Sequence, residues 1–172
     1  NDKTWGIIGL GNIGRRVASI AEAFGSRVIY SSPSGSAPQP GYRQTDMDTL
    51  LASSDIISVH APLNRHTEDL IGAEAFRRMK SSCIFLNLGR GAIVDEQALA
   101  QALIHDEIAA AGLDVLREEP IRPDHPLLGI RDSKKLLITP HVAWASVESR
   151  TRLMGIVLEQ IREFFAGSAH LP

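Results

Sequence analysis

The chain has a single cysteine, Cys83, among its 172 residues, so it can form neither an internal disulfide nor a multi-cysteine metal site. A reducing, cytoplasmic setting is therefore the expectation. No apolar run approaches the roughly 18 residues that span a bilayer, which argues against a membrane role. The formal net charge is −2, and no clustered basic excess offers itself to nucleic acid. There is no internal repeat and no low-complexity tract. The first residues are Asn1-Asp2-Lys3-Thr4-Trp5 rather than a methionine, which suggests a piece excised from a longer protein. Hydrophobic residues at 44% and charged residues at 22% are ordinary for a globular chain, and this length fits one domain better than two.

Short β-rich apolar runs alternate with helical patterns, the signature of an α/β fold with a doubly wound parallel sheet and helices on both faces. Residues 4–10 read as the first strand. Residues 13–24 read as a helix with Val17, Ala18, Ala21 and Phe24 on one face, closed by Gly25. Residues 27–30 give a second strand, and the Ser-, Pro- and Gly-rich residues 31–41 a loop. Asp46 or Asp48 can cap a short helix to Ala52, and further strands are expected over 55–60 and 83–88, with a helix over 73–79 between them. Asp95 caps a helix through Ala98, Leu99, Ala102 and Leu103, with Glu96 and Glu107 on its wet side. The last strands are expected over 109–115 and 136–139, flanking a proline-rich excursion over 118–126. A long amphipathic helix over 146–165 closes the chain. Its apolar Leu153, Ile156, Val157, Ile161 and Phe164 need a surface to bury against.

Gly9-Leu10-Gly11-Asn12-Ile13-Gly14 follows the first strand and opens the first helix, the context in which a GxGxxG pattern becomes a dinucleotide fingerprint. Gly9 permits the tight turn, Gly11 lets the backbone approach a pyrophosphate, and Gly14 allows close helix–strand packing. The N–H groups of Asn12 and Ile13 would face the phosphates at the positive helix end. An NAD-preferring fold places an acidic residue at the end of the second strand. Here that strand ends Tyr30-Ser31-Ser32-Pro33, with no carboxylate to repel a 2′-phosphate and two hydroxyls to bond it. NADP is therefore expected to be accepted at least as well as NAD. Arg43, beyond the loop, is the nearest downstream cation.

Five linked motifs resemble the D-isomer-specific 2-hydroxyacid dehydrogenase family across nearly the whole chain. They are the glycine cluster; His60-Ala61-Pro62-Leu63 with Thr67; and Asn87-Leu88-Gly89-Arg90-Gly91 with Val94-Asp95-Glu96. Gly112-Leu113-Asp114-Val115 with Glu119-Pro120 follows, and Thr139-Pro140-His141 is last. The resemblance implies that Arg90 holds a substrate carboxylate, that His141 is the acid/base, and that Glu119 is its paired carboxylate. It implies that Asp114 contacts the nicotinamide or ribose end and that Ala61, Pro62, Leu88 and Gly89 wall the cofactor, with Arg90, His141 and Ala143 also beside it. The chemistry agrees: arginine offers a carboxylate a planar fork of donors, and histidine titrates near neutrality, so it can give or take a proton. A neighbouring glutamate would favour the imidazolium. His60, His66, His105, His125 and His170 gain no such support and are read as structural; Cys83 is read as a core residue. Trp144 would wall the site or lean on a partner subunit.

The resemblance further implies a whole protein about twice this length, with a second, substrate-binding domain absent here, and a homodimer formed through this domain. The function expected is hydride transfer between NAD or NADP and small D-2-hydroxy or 2-keto acids of the glycerate/hydroxypyruvate kind, weak in the isolated chain. Glyoxylate and lactate are other plausible substrates. The alternative from another class is a non-enzymatic, NAD(H)-sensing corepressor-like module. A formate- or phosphite-oxidising relative is a third reading; its formate branch is disfavoured by Glu119, where that branch carries glutamine.

Overall fold

In the computed structural model, which describes residues 2–33, 35 and 39–166, seven strands form one sheet in the order β3-β2-β1-β4-β5-β6-β7. They are β1 (Thr4–Ile8), β2 (Arg27–Ser31), β3 (Arg43–Gln44), β4 (Ile56–Val59), β5 (Ile84–Asn87), β6 (Ala110–Leu113) and β7 (Leu136–Ile138), and all neighbours are parallel. The helices are α1 (Asn12–Ala23), α2 (Met47–Ser53), α3 (Ala73–Arg78), α4 (Glu96–Ile104) and α5 (Val147–Phe165). The order reverses between β1 and β4, so the loops leaving those two strands diverge and open a crevice at their carboxyl ends.

Alternation along the central strands builds a core on each face of the sheet. Ile7, Val28 and Tyr30 point to the side covered by Ala18 and Ala21 of α1. Ile8, Ile29, Ile57 and Phe85 point to the other side, where Leu50, Phe76, Leu99 and Leu103 of α2, α3 and α4 cover them. Burying strands on both faces explains their near-continuous apolar runs. Cys83 enters β5 fully buried, and burial pushes its thiol up to about 12, which suits an inert core residue.

The helix ends follow local chemistry. Asp46, not Asp48, caps α2, its Oδ1 accepting the Thr49 N–H at 2.7 Å; Asp48 instead pairs with Arg78. Asp95 caps α4 by accepting the Ala98 N–H at 3.0 Å. Gly25, at φ +82°, ends α1: its N–H reaches the Glu22 carbonyl, and the Ser26 N–H reaches that of Ala21, the Schellman pattern.

Three expectations need correction. Phe24 is 77% exposed, because α1 ends at Ala23 and the chain turns before the ring can reach the sheet. Glu107 lies beyond the end of α4 at Ile104. Glu96 is not on a wet face: its side chain is only 10% exposed, because the excursion after β6 folds over it. Of the loop expected over 31–41, residues 34 and 36–38 lie outside the described residues, and the two-residue β3 was not foreseen.

The chain divides into two compact units at residue 140. The sheet belongs to the first. The second holds α5, whose N-cap Ser146 accepts the Ser149 N–H at 3.2 Å and in which no residue is buried. Its Leu153, Ile156, Val157, Ile161 and Phe164 are each at least 38% exposed. Among the described residues, no helix is long and apolar enough to cross a membrane.

Asp55, at the entry to β4, ties three segments together. It accepts the Thr4 N–H at 2.8 Å and a bond from Lys80 Nζ at 3.1 Å, with Lys3 at 3.9 Å. The Thr4 bond, then the Lys80 bond and charge, hold its carboxyl below the usual value of 3.8. Its stabilisation is therefore complete above pH 3.8 and is lost as pH falls through the lower folded value. Asp55→Asn should cost about 1.5–3 kcal/mol at neutral pH. In urea melts the gap from the parent should close as the pH is taken below 3.8.

Candidate active site

Gly9 turns the chain out of β1 at φ +92°, and its N–H donates to the Ser31 carbonyl at 2.9 Å, joining the ends of β1 and β2. A Cβ on Gly9 would come within 2.7 Å of the Ala61 nitrogen, so the loops after β1 and β4 touch backbone to backbone. A Cβ on Gly14 would overlap the Gly9 carbonyl, which brings the start of α1 against the same turn. Gly11, by contrast, has open space where its Cβ would be. Close packing below and clearance above make a cradle that a dinucleotide pyrophosphate fits.

A cleft of about 290 Å³ runs over this turn, lined by Gly9, Gly11, Arg15, Tyr30, Ser32 and Gln39 on one side and by His60, Ala61 and Pro62 on the other. Thr67 shapes the second wall: its buried hydroxyl donates to the Pro62 carbonyl at 2.7 Å and accepts the Asn64 N–H at 2.8 Å. Ser31 closes β2 with its side chain buried, so Ser32 is the one of the pair that lines the cleft. Arg43 lines a separate hollow with Thr4 and Arg27, at the opposite ends of the strands. Arg15 is the cation in the cleft instead. Its guanidinium donates to Gln39 Oε1 at 3.1 Å and to Asn12 Oδ1 at 2.6 Å, and it carries the one full charge among the described lining residues.

A second hollow of about 370 Å³ shares His60, Ala61 and Pro62 with the cleft and adds Ile13, Leu88, Gly89 and Arg90. The buried Asn87 at the end of β5 builds this wall. Its Oδ1 accepts the Gly89 N–H at 3.1 Å and its Nδ2 donates to the Arg90 carbonyl at 3.0 Å, which leaves the Arg90 side chain exposed at the rim. His60 sits where both hollows meet. Its Nε2 lies 3.1 Å from Ser58 Oγ, and burial lowers its pKa, so it stands in the wall as a neutral ring.

Arg90 and Glu119 come from different loops but are joined by backbone. A Cβ on Gly91 would overlap the Leu116 carbonyl and the Arg117 nitrogen, so the turn carrying Arg90 lies directly on the peptide three residues before Glu119. Glu119 Oε1 accepts the Leu116 N–H at 3.0 Å. Asp114, just past β6, is buried and accepts a bond from Thr139 Oγ1 at 2.5 Å. His141 opens the second unit at φ +54° and is half-buried there, with Ala143 exposed two residues on. Of the residues named from sequence, Gly9, Gly11, Ser32, Ala61 and Pro62 therefore share the cleft, and Ile13, Leu88, Gly89 and Arg90 share the adjoining hollow. Asn12 is exposed beside Arg15, and Gly14 lies beneath the turn. Arg15, Gln39 and His60 also line the cleft: Arg15 directly follows the fingerprint, His60 opens the His60–Leu63 motif but is read above as structural, and Gln39 comes from another element, which no local pattern marks.

A crevice over a glycine turn at the switch point of a parallel sheet defines a dinucleotide-binding domain of the Rossmann type. Residues 1–143 match the family model for the D-isomer specific 2-hydroxyacid dehydrogenase, NAD binding domain, and the chain belongs to that family. It is 43% identical over 170 residues to a hydroxypyruvate reductase of Blautia hydrogenotrophica, covering 96% of this chain and 51% of that protein. Among solved structures it resembles an acyclic imino acid reductase in complex with NADPH and D-Arg (TM-score 0.87, 37% identity, 98% of this chain and 52% of that one). It also resembles the D-lactate dehydrogenase of Aquifex aeolicus complexed with NAD and lactic acid (TM-score 0.88, 30% identity, 96% and 54%). The chain spans about half the length of the relatives it matches.

The open space at Gly11 gives a direct test of the cradle. Gly11→Ala should change fold stability by about 1 kcal/mol or less, since Gly11 has an ordinary φ and nothing within 4 Å. Dinucleotide affinity should fall at least tenfold, or about 1.4 kcal/mol, in a fluorescence titration, because the new methyl occupies the approach to the phosphates.

Proposed function

We propose that this chain is the cofactor domain of a longer, two-domain oxidoreductase that interconverts small D-2-hydroxy acids and 2-keto acids of the glycerate/hydroxypyruvate kind. The observation that carries the reading is the junction of Gly91 with the Leu116–Arg117 peptide, beside a dinucleotide cleft. It brings the turn of Arg90, the proposed carboxylate binder, against the loop of Glu119, the proposed proton-relay partner, at the carboxyl ends of β5 and β6. In this reading the nicotinamide, when bound, supplies or accepts the hydride. Arg90 holds the substrate carboxylate by paired N–H donors. His141 gives its proton to the nascent alkoxide in reduction and takes it back in oxidation. Glu119 favours the protonated ring and orients it. Further support comes from family membership and from the hydroxypyruvate reductase among the relatives. The whole enzyme is proposed to be a homodimer through this domain, which the exposed apolar residues of α5 and Trp144 would suit.

In the full-length protein assayed against a panel of 2-keto acids, His141→Ala should abolish turnover and leave cofactor affinity within twofold. Normal turnover by that variant would remove His141 from the mechanism. The 172-residue chain alone should bind cofactor but reduce 2-keto acids poorly, because domain closure is needed to exclude water and align the reactants.

We further infer that NADP is accepted at least as well as NAD. No carboxylate occurs among residues 31–42, and Arg15 stands with Ser32 in the cleft where a 2′-phosphate would lie. Arg15→Ala should weaken NADP binding about tenfold, the value of one charge-assisted hydrogen bond, and leave NAD within twofold. NAD binding much tighter than NADP in the parent chain would overturn this preference.

A further inference from the structure

Glu96 lines neither the dinucleotide cleft nor the hollow beside it, yet both its oxygens are committed. It is the first residue of α4, one position after the cap, where a carboxylate normally faces water. Here Oε1 accepts the Arg117 N–H at 2.7 Å and Oε2 meets His125 Nε2 at 2.8 Å, with the two side chains 10% and 9% exposed. His125 Nδ1 accepts the Leu127 N–H at 3.3 Å, so the ring keeps its proton on Nε2 and donates it to Glu96. Withdrawing most of a carboxylate from water is costly unless its oxygens find donors. The partners it has chosen all lie in the excursion between β6 and β7.

The excursion is the segment that carries Glu119. The peptide between Leu116 and Arg117 is fixed at both ends: its carbonyl packs on Gly91 and its N–H is held by Glu96. The preceding amide, Leu116 N–H, points at Glu119 Oε1 at 3.0 Å. Consecutive amides are thus shared between two glutamates, one anchoring the loop to α4 and one in the candidate site. The Arg117 side chain adds an outward tether to Asp69, with Glu68 at 3.6 Å. The two peptides meet at the Leu116 Cα, so a displacement of the 116–117 peptide that moved that atom would carry the Leu116 N–H off Glu119 and release its carboxylate.

We propose that Glu96 and His125 are positioning residues for Glu119, fixing the orientation of its carboxylate. This rests on the reading of Glu119 as the partner of the acid/base. The test is kinetic, on the full-length enzyme. Glu96→Leu should lower kcat about tenfold, the size expected for a sub-ångström displacement of a reacting group, with KM for the reduced cofactor within twofold of the parent. Its kcat/KM–pH profile should move in the same direction as that of Glu119→Gln, and the double variant should be no slower than Glu119→Gln alone. His125→Gln, which keeps a donor facing Glu96, should retain most activity, whereas His125→Leu should behave like Glu96→Leu. The His125 pair also serves where Glu96→Leu fails to fold. A lower melting temperature with parental kcat and pH profile in Glu96→Leu and His125→Leu would make the pair merely structural and overturn the proposal. A silent Glu119→Gln would instead overturn the role of Glu119, and the positioning role with it.

Discussion

The backbone of Gly9 lies against that of Ala61, and that contact decides where everything else in the site can be. Parallel strands β1 and β4 are hydrogen-bonded neighbours, yet the chain leaving each must go to opposite faces of the sheet. A side chain at residue 9 would prise the two exits apart and tear the Gly9 N–H from the Ser31 carbonyl. With no side chain there, the three strand ends stay in register and the crevice above them has a floor of main-chain atoms. Main-chain atoms cost no rotamer entropy to hold still, which suits a surface that must receive phosphates.

From that floor the site extends by polar side chains held by hydrogen bonds. Asn87 fixes the Gly89–Arg90 turn, Thr67 fixes the Pro62 wall, and Thr139 bonds Asp114. Asn87 and Thr139 sit at or just past a strand end, where the ladder stops and unpaired backbone groups need partners, and Thr67 sits in the turn that follows the Pro62 wall. Arg90, in contrast, is exposed and tethered only to its own turn, by a 2.8 Å bond to the Gly89 carbonyl. A rigid frame under an exposed charged tip is the arrangement that the proposed carboxylate-binding role of Arg90 would require.

What could be read from the sequence follows from the range of the forces involved. The cap at Asp95, the choice of Asp46 or Asp48 for α2, the Gly25 stop and the alternation of strands with helices all come from interactions within a few residues or from the two-sided burial of apolar runs. The family motifs, including Arg90 and Glu119, were legible because each is contiguous. Arg15 and Glu96 were not. Arg15 looks like one of two solvated arginines in a helix, and its place in the cleft depends on Gln39 folding back from 24 residues away. Glu96 looks like a first-turn carboxylate facing water, which it would be if the segment over 116–127 were not packed on it. Phe24 fails for a third reason: an apolar residue at the right helical spacing is exposed when the helix stops one residue short.

The packing of Glu96 bears on how the excursion after β6 is held in place. That segment is rich in proline and charge and makes few apolar contacts of its own beyond Leu116, Leu127 and Ile130. Such a segment would ordinarily be among the first to open locally. Placing a carboxylate with two anchored oxygens at the start of α4 substitutes directional bonds for the missing apolar burial. Directional bonds also fix orientation, which burial does not. A loop that had only to cover the sheet could have used leucine at 96; a loop whose 116–117 peptide is held at a set angle has reason to use glutamate.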